Sequence, residues 1–397
     1  MALNDVYDDA ADLRHRGLRK QFLIRDDVTF LNHGSYGACP RPVFERYQQW
    51  QLELEQQPVE FLSRRQRDLL EASRAALGRY VGADADELAY FPNVTTALNV
   101  VARSLPLQPG DEILSNDHEY AALDKTWGAV CAERGSSYVV RHLPLPLEDP
   151  ADAVDVILSG ITPRTRVLFL SHITSPTATT LPVEPLVRRA RELGIWTVID
   201  GAHATGQVPL NLHDLDVDFY GSNCHKWLCA PKGAGFLYAR RDVQHLLKPL
   251  VVSHGSAPSM WAGPSRFIDE QQHQGTRDIS AFLTVPTAIQ FLKANDWDRV
   301  RHECHDLVRY GREAITELTG LEPLTADSPA WYSQMVTLPV PVQDGPALKT
   351  RLYDEFRIEI PVTRWRDQYH VRISAQGYNT REDVDRLVNA LATILRD

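Results

Sequence analysis

Two residues in the middle of the chain have the types and the spacing to act on a substrate together. Asp200 ends the apolar run VID (198–200), and Lys226 lies 26 residues later, at the end of SNCHK (222–226). The apolar run predicts a buried strand, and the lysine follows the next strand-like run. Ligands of α/β sheets bind outside the carboxyl ends of strands, so both side chains are expected to face one crevice.

A buried aspartate opposite a loop lysine meets the needs of a pyridoxal 5′-phosphate (PLP) site. The lysine amine forms a Schiff base with the cofactor, and the carboxylate keeps the pyridine nitrogen protonated, so that the ring withdraws electrons from a substrate's α-carbon. Desolvation beside cationic groups lowers the pKa of a lysine. The amine, once freed by the substrate, is then a natural base for the α-proton. We therefore predict that Lys226 and Asp200 are catalytic and bind PLP.

Other short motifs extend this signal along nearly the whole chain. They are NHGSYG (32–37), NVTT (93–96), DHEY (117–120), DGAH (200–203), SNCHK (222–226), GTRD (275–278) and RIS (372–374). Together they resemble the class V branch of fold-type I PLP enzymes, which includes cysteine desulfurases, kynureninases, several aminotransferases and isopenicillin N epimerases. The isopenicillin N epimerase-like group is the most similar. The combination is specific for cofactor and fold, and it says little about the reaction.

The resemblance implies contacts to the cofactor's phosphate. Thr95 and Thr96 lie at the start of a predicted helix, whose exposed N–H groups suit a phosphate; their alternative role is only to cap that helix. Ser222 and His225 are expected to complete the phosphate site. Thr276 would reach the phosphate of the neighbouring subunit if the family's homodimer, with its shared active sites, is kept.

The resemblance also implies contacts to the cofactor's ring. Tyr120 falls where the family stacks an aromatic side chain on the pyridine ring, and this residue is predicted to be catalytic as well as cofactor-binding. His118 is the alternative. His203 is expected to contact the ring or its phenolic oxygen, and Thr174 and Ser175 are expected to contact that oxygen.

The substrate is expected to meet three further residues. Arg372, on a predicted strand near the C-terminus, resembles the family's arginine for the substrate carboxylate, which a guanidinium binds through two parallel hydrogen bonds. Asn32 and His33 are expected to line the substrate entrance. One departure from the family lies at Ala178, where a glycine is usual.

The reaction itself is less constrained than the cofactor. Desulfurases use a loop cysteine near the C-terminus to accept sulfur, whereas the only cysteine here beyond residue 229 is Cys304, within a helical pattern. Loss of the α-proton can lead to β-elimination, epimerisation or transamination. We predict a C–S lyase acting on an S-substituted cysteine in secondary metabolism, such as antibiotic biosynthesis. The alternatives are an isopenicillin N epimerase-type enzyme, an aminotransferase, a decarboxylating enzyme or a non-catalytic PLP-binding protein.

The elements that position these residues follow from the hydrophobic pattern. Between about residues 90 and 240, short β-branched runs alternate with amphipathic helices, which predicts an α/β fold with a mostly parallel sheet covered on both faces; the resemblance implies a seven-stranded type. We expect an N-terminal segment (1–30), a large PLP-binding domain (31–282) and a small C-terminal α+β domain (283–397).

Composition excludes several other classes. The 397 residues carry a formal net charge of −10 with no basic run, which argues against nucleic-acid binding. No apolar stretch is long enough to span a membrane, and the N-terminus lacks the apolar core of a secretory signal. Five scattered cysteines favour a reducing cytoplasm. No His-Glu-x-x-His motif or paired cysteine motif occurs, so no metal site is predicted.

Overall fold

The computed structural model describes residues 9–257 and 265–396. The strands are β1 (Thr29–Phe30), β2 (Leu88–Phe91), β3 (Glu112–Asn116), β4 (Ser137–Arg141), β5 (Thr165–Ser171), β6 (Trp196–Asp200), β7 (Phe219–Asn223), β8 (Gly235–Ala239), β9 (Met335–Val340), β10 (Ile358–Glu359), β11 (Val362–Trp365) and β12 (Gln368–Ser374). The helices are α1 (Asp9–Arg19), α2 (His33–Tyr36), α3 (Arg41–Gln56), α4 (Gln66–Val81), α5 (Val94–Ser104), α6 (Ala121–Arg134), α7 (Pro150–Leu158), α8 (Val183–Glu192), α9 (Leu212–Leu215), α10 (Arg266–Gln272), α11 (Ser280–Leu283), α12 (Val285–Ala294), α13 (Trp297–Thr319), α14 (Gly345–Phe356) and α15 (Arg381–Ile394).

The larger sheet has seven strands in the order β2-β8-β7-β6-β5-β3-β4. Neighbours from β7 to β4 pair in parallel, and only β8 runs antiparallel to both of its neighbours. The chain adds β4 on one side of β3 and then β5 on the other. The order of strands therefore changes direction at β3, and α/β folds bind ligands beside such a point. The predicted mostly parallel α/β fold is confirmed.

Apart from the edge strand β4, the strands of this sheet are largely buried on both faces, and successive side chains of a strand point to opposite faces. In β5, Val167 and Phe169 belong to one apolar cluster, whereas Leu168 and Leu170 belong to another. With both faces apolar, polar side chains are left to the ends of the strands. This arrangement collects the polar groups at the carboxyl edge of the sheet.

A second, antiparallel sheet in the order β11-β12-β9 forms the core of the C-terminal part, as the α+β prediction requires. Helix α15 begins with a capping box, in which Thr380 and Asp383 satisfy each other's backbone N–H groups. The described part of the N-terminal segment packs here too, because β1 pairs in parallel with β10. The domain boundaries given above stay predictions.

In the two stretches that the structure describes, no helix combines the length and the apolar character needed to cross a membrane.

Candidate active site

A cavity of about 500 Å³ lies at the carboxyl ends of the parallel strands. Ser171, Asp200 and Asn223, which are the last residues of β5, β6 and β7, all line it. Arg372 on β12 lines the cavity as well, together with residues 34–36 of the turn-rich segment near the N-terminus. The cavity is therefore lined by residues of both sheets.

Lys226 enters this cavity from the turn between β7 and β8. The N-terminal loop presses on that turn so closely that a Cβ built on Gly37 would lie 2.0 Å from the carbonyl oxygen of His225. Gly37 also has a φ of +69°, a conformation that L side chains rarely adopt. Only a glycine allows this packing, which holds the lysine-bearing turn in place.

The pKa values of Lys226 and Asp200 move toward each other. Burial lowers the pKa of the Lys226 amine to about 7; the Arg372 guanidinium lowers it further, and the Asp200 carboxylate opposes the shift. Burial raises the pKa of Asp200 to about 6, although its carboxylate accepts a 2.8 Å hydrogen bond from the Ala202 N–H and is attracted by Lys226. An amine with this pKa is a competent base near neutral pH.

His203 lines the cavity and lies directly against the lysine, and its expected contact with the cofactor ring stays a prediction. Its Nε2 is 3.2 Å from Nζ of Lys226, and its Nδ1 accepts a 3.2 Å hydrogen bond from the indole N–H of Trp227. Burial lowers the pKa of His203 well below its ordinary value, and the positive charges of Lys226 and Arg372 add to this effect. The imidazole is therefore neutral and fixed in orientation.

The predicted phosphate residues fall into two groups. Thr95 at the start of α5 and His225 line the cavity. The Thr96 hydroxyl instead bonds to Oδ1 of Asn93, the residue that caps α5, at 3.0 Å. The Ser222 hydroxyl donates a 2.6 Å hydrogen bond to the carbonyl of Gly201, away from the cavity.

Thr276 lies on an exposed loop and does not line the cavity. Its predicted contact with a partner subunit stays a prediction, as do the cofactor roles of Thr96 and Ser222.

The two candidates for stacking on the ring differ in position. Tyr120 lines the cavity with 42% of its surface exposed. His118 is fully buried outside it, with Nδ1 at 2.8 Å from the Thr177 hydroxyl and its ring against Trp365. This geometry favours Tyr120 over His118 as the residue that contacts a bound ring.

Ser175 lines the cavity, whereas the Thr174 hydroxyl bonds within its own loop, 2.6 Å from the Thr177 hydroxyl.

Ala178, where the family usually has a glycine, has a backbone conformation that bears on this difference. Ala178 is buried with a φ of +56°, in the left-handed region where a glycine meets no steric cost. The loop thus keeps the backbone conformation that favours glycine despite carrying an alanine.

Arg372 is buried and has no carboxylate partner among the residues that the structure describes. Its Nη1 donates a 2.6 Å hydrogen bond to the Ser175 carbonyl, its Nη2 lies 3.4 Å from the Ser35 hydroxyl, and its buried Nε lacks an acceptor. Burial lowers the pKa of Arg372 to about 10. A buried cation with unused donors is suited to an incoming carboxylate.

Asn32 and His33 lie behind the cavity wall rather than on it. The Asn32 amide donates to Glu359 at 3.0 Å. The buried His33 imidazole is 3.0 Å from the Lys226 carbonyl and 2.9 Å from the Tyr378 hydroxyl. His33 therefore supports the lysine-bearing turn, and its neighbours Gly34, Ser35 and Tyr36 reach the cavity instead.

Several cavity residues were not predicted from the sequence, and among those with polar side chains are Ser171, Asn223 and Tyr36. Ser171 and Asn223 carried a usable signal, since each is a polar residue that ends an apolar strand, as Asp200 does. Tyr36 lies within the NHGSYG motif (32–37), but the sequence predicted no role for its side chain. These residues extend the site on the sheet side and on the side of the N-terminal loop.

The charges in the cavity fit PLP and a carboxylate substrate. Among the described residues that line it, Asp200 is the only acidic one, against Lys226 and Arg372. The start of α5 adds partial positive charge from its N–H groups. A phosphate, a protonated pyridine and a substrate carboxylate would each find a group of opposite charge. Fold and site together define the class of fold-type I PLP enzymes.

This chain belongs to the aminotransferase class-V family, which matches residues 37–387 and whose members use PLP. It is 38% identical to an isopenicillin N epimerase of Amycolatopsis lactamdurans, over 94% of this chain and 96% of the relative. It is 30% identical to a putative L-cysteine desulfhydrase 2 of Oryza sativa subsp. japonica, over 98% and 89% of the two chains. The fold resembles that of the cysteine desulfurase CsdA from Escherichia coli, with a TM-score of 0.81 and 23% identity over 96% and 98%. The identity to the epimerase is higher than the identity to the desulfhydrase, and this favours the epimerase alternative over the C–S lyase predicted from the sequence.

Proposed function

We propose that this protein is a PLP-dependent epimerase that inverts the α-carbon of a substrate's amino-acid group, as an isopenicillin N epimerase-type enzyme. The observation that carries the proposal is the 38% identity to such an epimerase, which extends over nearly the full length of both chains. The cavity supports it, because Lys226, Asp200 and Arg372 all line one space.

Each of these residues has a defined task in the proposed reaction. PLP, when bound, supplies an electron-withdrawing ring that acidifies the α-proton. Asp200 holds a proton on the ring nitrogen, and the Lys226 amine, with its pKa lowered to about 7, removes the α-proton. Arg372 binds the substrate carboxylate and thereby fixes the α-carbon near the amine. Thr95 and His225 bind the phosphate.

Inversion needs a second group that returns a proton to the opposite face of the α-carbon. Tyr120, His118 and His33 carry titratable groups in the sequence motifs around the site, and of these three only Tyr120 lines the cavity. We assign Tyr120 this role together with its contact to the cofactor ring. The α C–H bond is broken on one face and formed again on the other, so the substrate's composition does not change.

A C–S lyase is the second candidate, favoured by the desulfhydrase relative. Elimination would break the Cβ–S bond and release a thiol and aminoacrylate, and one water would hydrolyse the aminoacrylate to pyruvate and ammonia. None of the described cavity-lining residues is a cysteine, and Cys304 is buried within α13. Any C–S cleavage here would therefore release its sulfur without a cysteine relay at the cavity.

A homodimer is part of the proposal. Tyr36 borders the cavity with 74% of its surface exposed, and Thr276 is exposed on a loop. A second copy of the chain would cover such positions and bring Thr276 toward the neighbouring phosphate site. Analytical ultracentrifugation tests this part separately: a monomer at micromolar concentration would contradict it.

The reaction is tested by incubating the PLP-loaded protein in D₂O with isopenicillin N and, separately, with an S-alkyl-L-cysteine. The products are resolved by chiral chromatography and mass spectrometry, with thiol and pyruvate assayed alongside and Lys226→Ala as the control. Inversion of isopenicillin N with deuterium at the α-carbon and no pyruvate supports the epimerase. Pyruvate and thiol from S-alkylcysteine identify the lyase instead. Absence of both inversion and exchange would refute the epimerase proposal.

A further inference from the structure

The β11–β12 hairpin carries Trp365 and Arg366 at its tip, and both contact the segment before Tyr120. Arg366 Nη2 lies 2.7 Å from Oδ2 of Asp117, and Nε lies 3.1 Å from the same oxygen. Nη2 also donates a 2.7 Å hydrogen bond to the Leu143 carbonyl. The indole N–H of Trp365 donates to the Asp117 carbonyl at 2.9 Å.

Aromatic packing extends this contact. The centre of the Trp365 ring lies 4.5 Å from that of buried His118, and the Arg366 guanidinium lies 4.4 Å from the centre of the Trp365 ring. Arg366 has a φ of +50°, where a two-residue hairpin loop normally carries Asn or Gly. Turn chemistry does not explain an arginine at this position, whereas its contacts with Asp117 and Leu143 do.

The same hairpin reaches the cavity at a second point. Arg372 lies further along β12, and its Nη1 donates to the Ser175 carbonyl at 2.6 Å. On the other side of the contact, the segment that begins at Asp117 leads directly to Tyr120 on the cavity wall. One rigid hairpin therefore connects the proposed carboxylate-binding arginine to the position of the proposed ring-contacting tyrosine.

We propose that Trp365 and Arg366 are positioning residues that act through a latch, defined as their contacts with Asp117 and His118. The latch fixes Tyr120 relative to Arg372, and so fixes the substrate carboxylate relative to the cofactor ring. This inference rests on the proposed function and adds to it. Neither Trp365 nor Arg366 lines the cavity, so each acts only through the residues it holds.

The test compares Arg366→Ala and Trp365→Phe with Arg364→Ala in the PLP-loaded protein. Arg364 is an exposed arginine of the same hairpin whose described ion pair, with Asp367, lies within that hairpin. The readouts are the visible circular dichroism of bound PLP, the dissociation constant for L-alanine from a spectral titration, and the melting temperature.

We expect Arg366→Ala to weaken L-alanine binding about tenfold, which is typical of coupling between separated groups. We also expect it to change the circular dichroism of PLP, because Tyr120 shifts, and to leave the melting temperature near that of Arg364→Ala. Trp365→Phe should lose the indole hydrogen bond and show the same changes to a smaller degree. Binding and circular dichroism that match Arg364→Ala in both variants would overturn the latch.

A wild-type protein without PLP absorbance would overturn the proposed function rather than the latch. The latch would then be tested on the cofactor-free protein by amide hydrogen exchange across residues 117–122. Faster exchange there in Arg366→Ala than in Arg364→Ala would support it, and equal exchange would reject it.

Discussion

Lys226 and His203 are in contact, and Trp227 determines which ring nitrogen of His203 carries its proton. Trp227 can only donate, so His203 Nδ1 must accept, and a neutral imidazole then carries its proton on Nε2, 3.2 Å from Nζ of Lys226. A donor at this distance interacts favourably with an unprotonated amine and unfavourably with an ammonium group. The hydrogen-bond chain therefore supports the lowered pKa that burial gives the lysine.

Trp227→Phe is expected to raise the pKa of Lys226 above about 7, because His203 can then place its proton on Nδ1 and accept from the ammonium group. The pKa is measured as the midpoint of the pH dependence of PLP capture by the cofactor-free protein. Trp297→Phe is the control, since Trp297 is a buried tryptophan that does not line the cavity. A midpoint that moves equally in both variants would show that His203 does not act on Lys226 in this way.

Asp200→Asn is expected to shift the same midpoint downward, because the Asp200 carboxylate raises the pKa of Lys226. The amide also fails to hold a proton on the ring nitrogen, so turnover should fall by about 10²-fold or more while PLP still binds. Asp200→Glu keeps the negative charge, so its midpoint should stay close to that of the wild-type protein. Turnover in Asp200→Asn within a few-fold of wild type would remove Asp200 from its proposed role.

Arg372→Met is expected to stabilise the cofactor-free protein while it weakens substrate binding. Arg372 is a buried cation without a carboxylate among the described residues, and its hydrogen bonds to Ser175 and Ser35 offset only part of its desolvation cost. We therefore expect an apolar replacement of similar size to add about 1–4 kcal/mol to the free energy of unfolding, the range seen when buried ion pairs are replaced in this way. Loss of the charge-assisted pair with the substrate costs about 2–5 kcal/mol of binding. Thermal denaturation and KM are measured together, with Arg372→Lys as the charged control. A destabilised Arg372→Met protein with unchanged KM would contradict both parts.

Glu119→Gln is expected to reveal a buried carboxyl group that is neutral in the folded protein. Burial raises the pKa of Glu119 to about 8, and the negative charge of Asp200 adds to this shift, against hydrogen bonds from Ser171 and Asn116. The pKa of Glu119 in the folded protein lies above its unfolded value of about 4.3. The contribution of Glu119 to the free energy of unfolding is therefore fully present below that pH. It is then lost as the pH rises toward about 8.

The measurement is the free energy of unfolding of wild type relative to Glu119→Gln between pH 5 and 8. The difference should fall steadily as the pH rises, since glutamine does not ionise. Glu133→Gln, at an exposed position on α6, provides the control and should show a flat difference. A flat difference for Glu119→Gln would mean that Glu119 is already ionised in the folded state at pH 5.

The central sheet could be predicted closely, because buried parallel strands read as continuous apolar runs. The apolar runs at residues 112–116, 196–200 and 235–239 predict strands from the sequence alone, and they form β3, β6 and β8. The β-branched run at residues 357–364 predicts one strand, and this prediction is wrong, since the run divides into β10 and β11 around Pro361. Proline has no N–H to donate to a strand ladder, so the break follows from its chemistry.

The centre of the site could be predicted because its residues sit in short motifs at strand ends. Lys226, Asp200 and Arg372 carry types and spacings that few other sites share, and the structure brings all three to one cavity. The latch could not be predicted in this way. Its hydrogen bond from Trp365 to Asp117 joins residues 248 apart in sequence, and no local pattern specifies such a pairing.

The most direct test of the account is to find which lysine carries PLP. The PLP-loaded protein is reduced with borohydride, digested and sequenced by mass spectrometry, so that the linked residue keeps a pyridoxyl group. The account predicts this group on Lys226, and its absence from the Lys226→Ala protein. A pyridoxyl group on Lys232, six residues further along the chain, or no pyridoxyl group at all, would contradict the assignment of the active site.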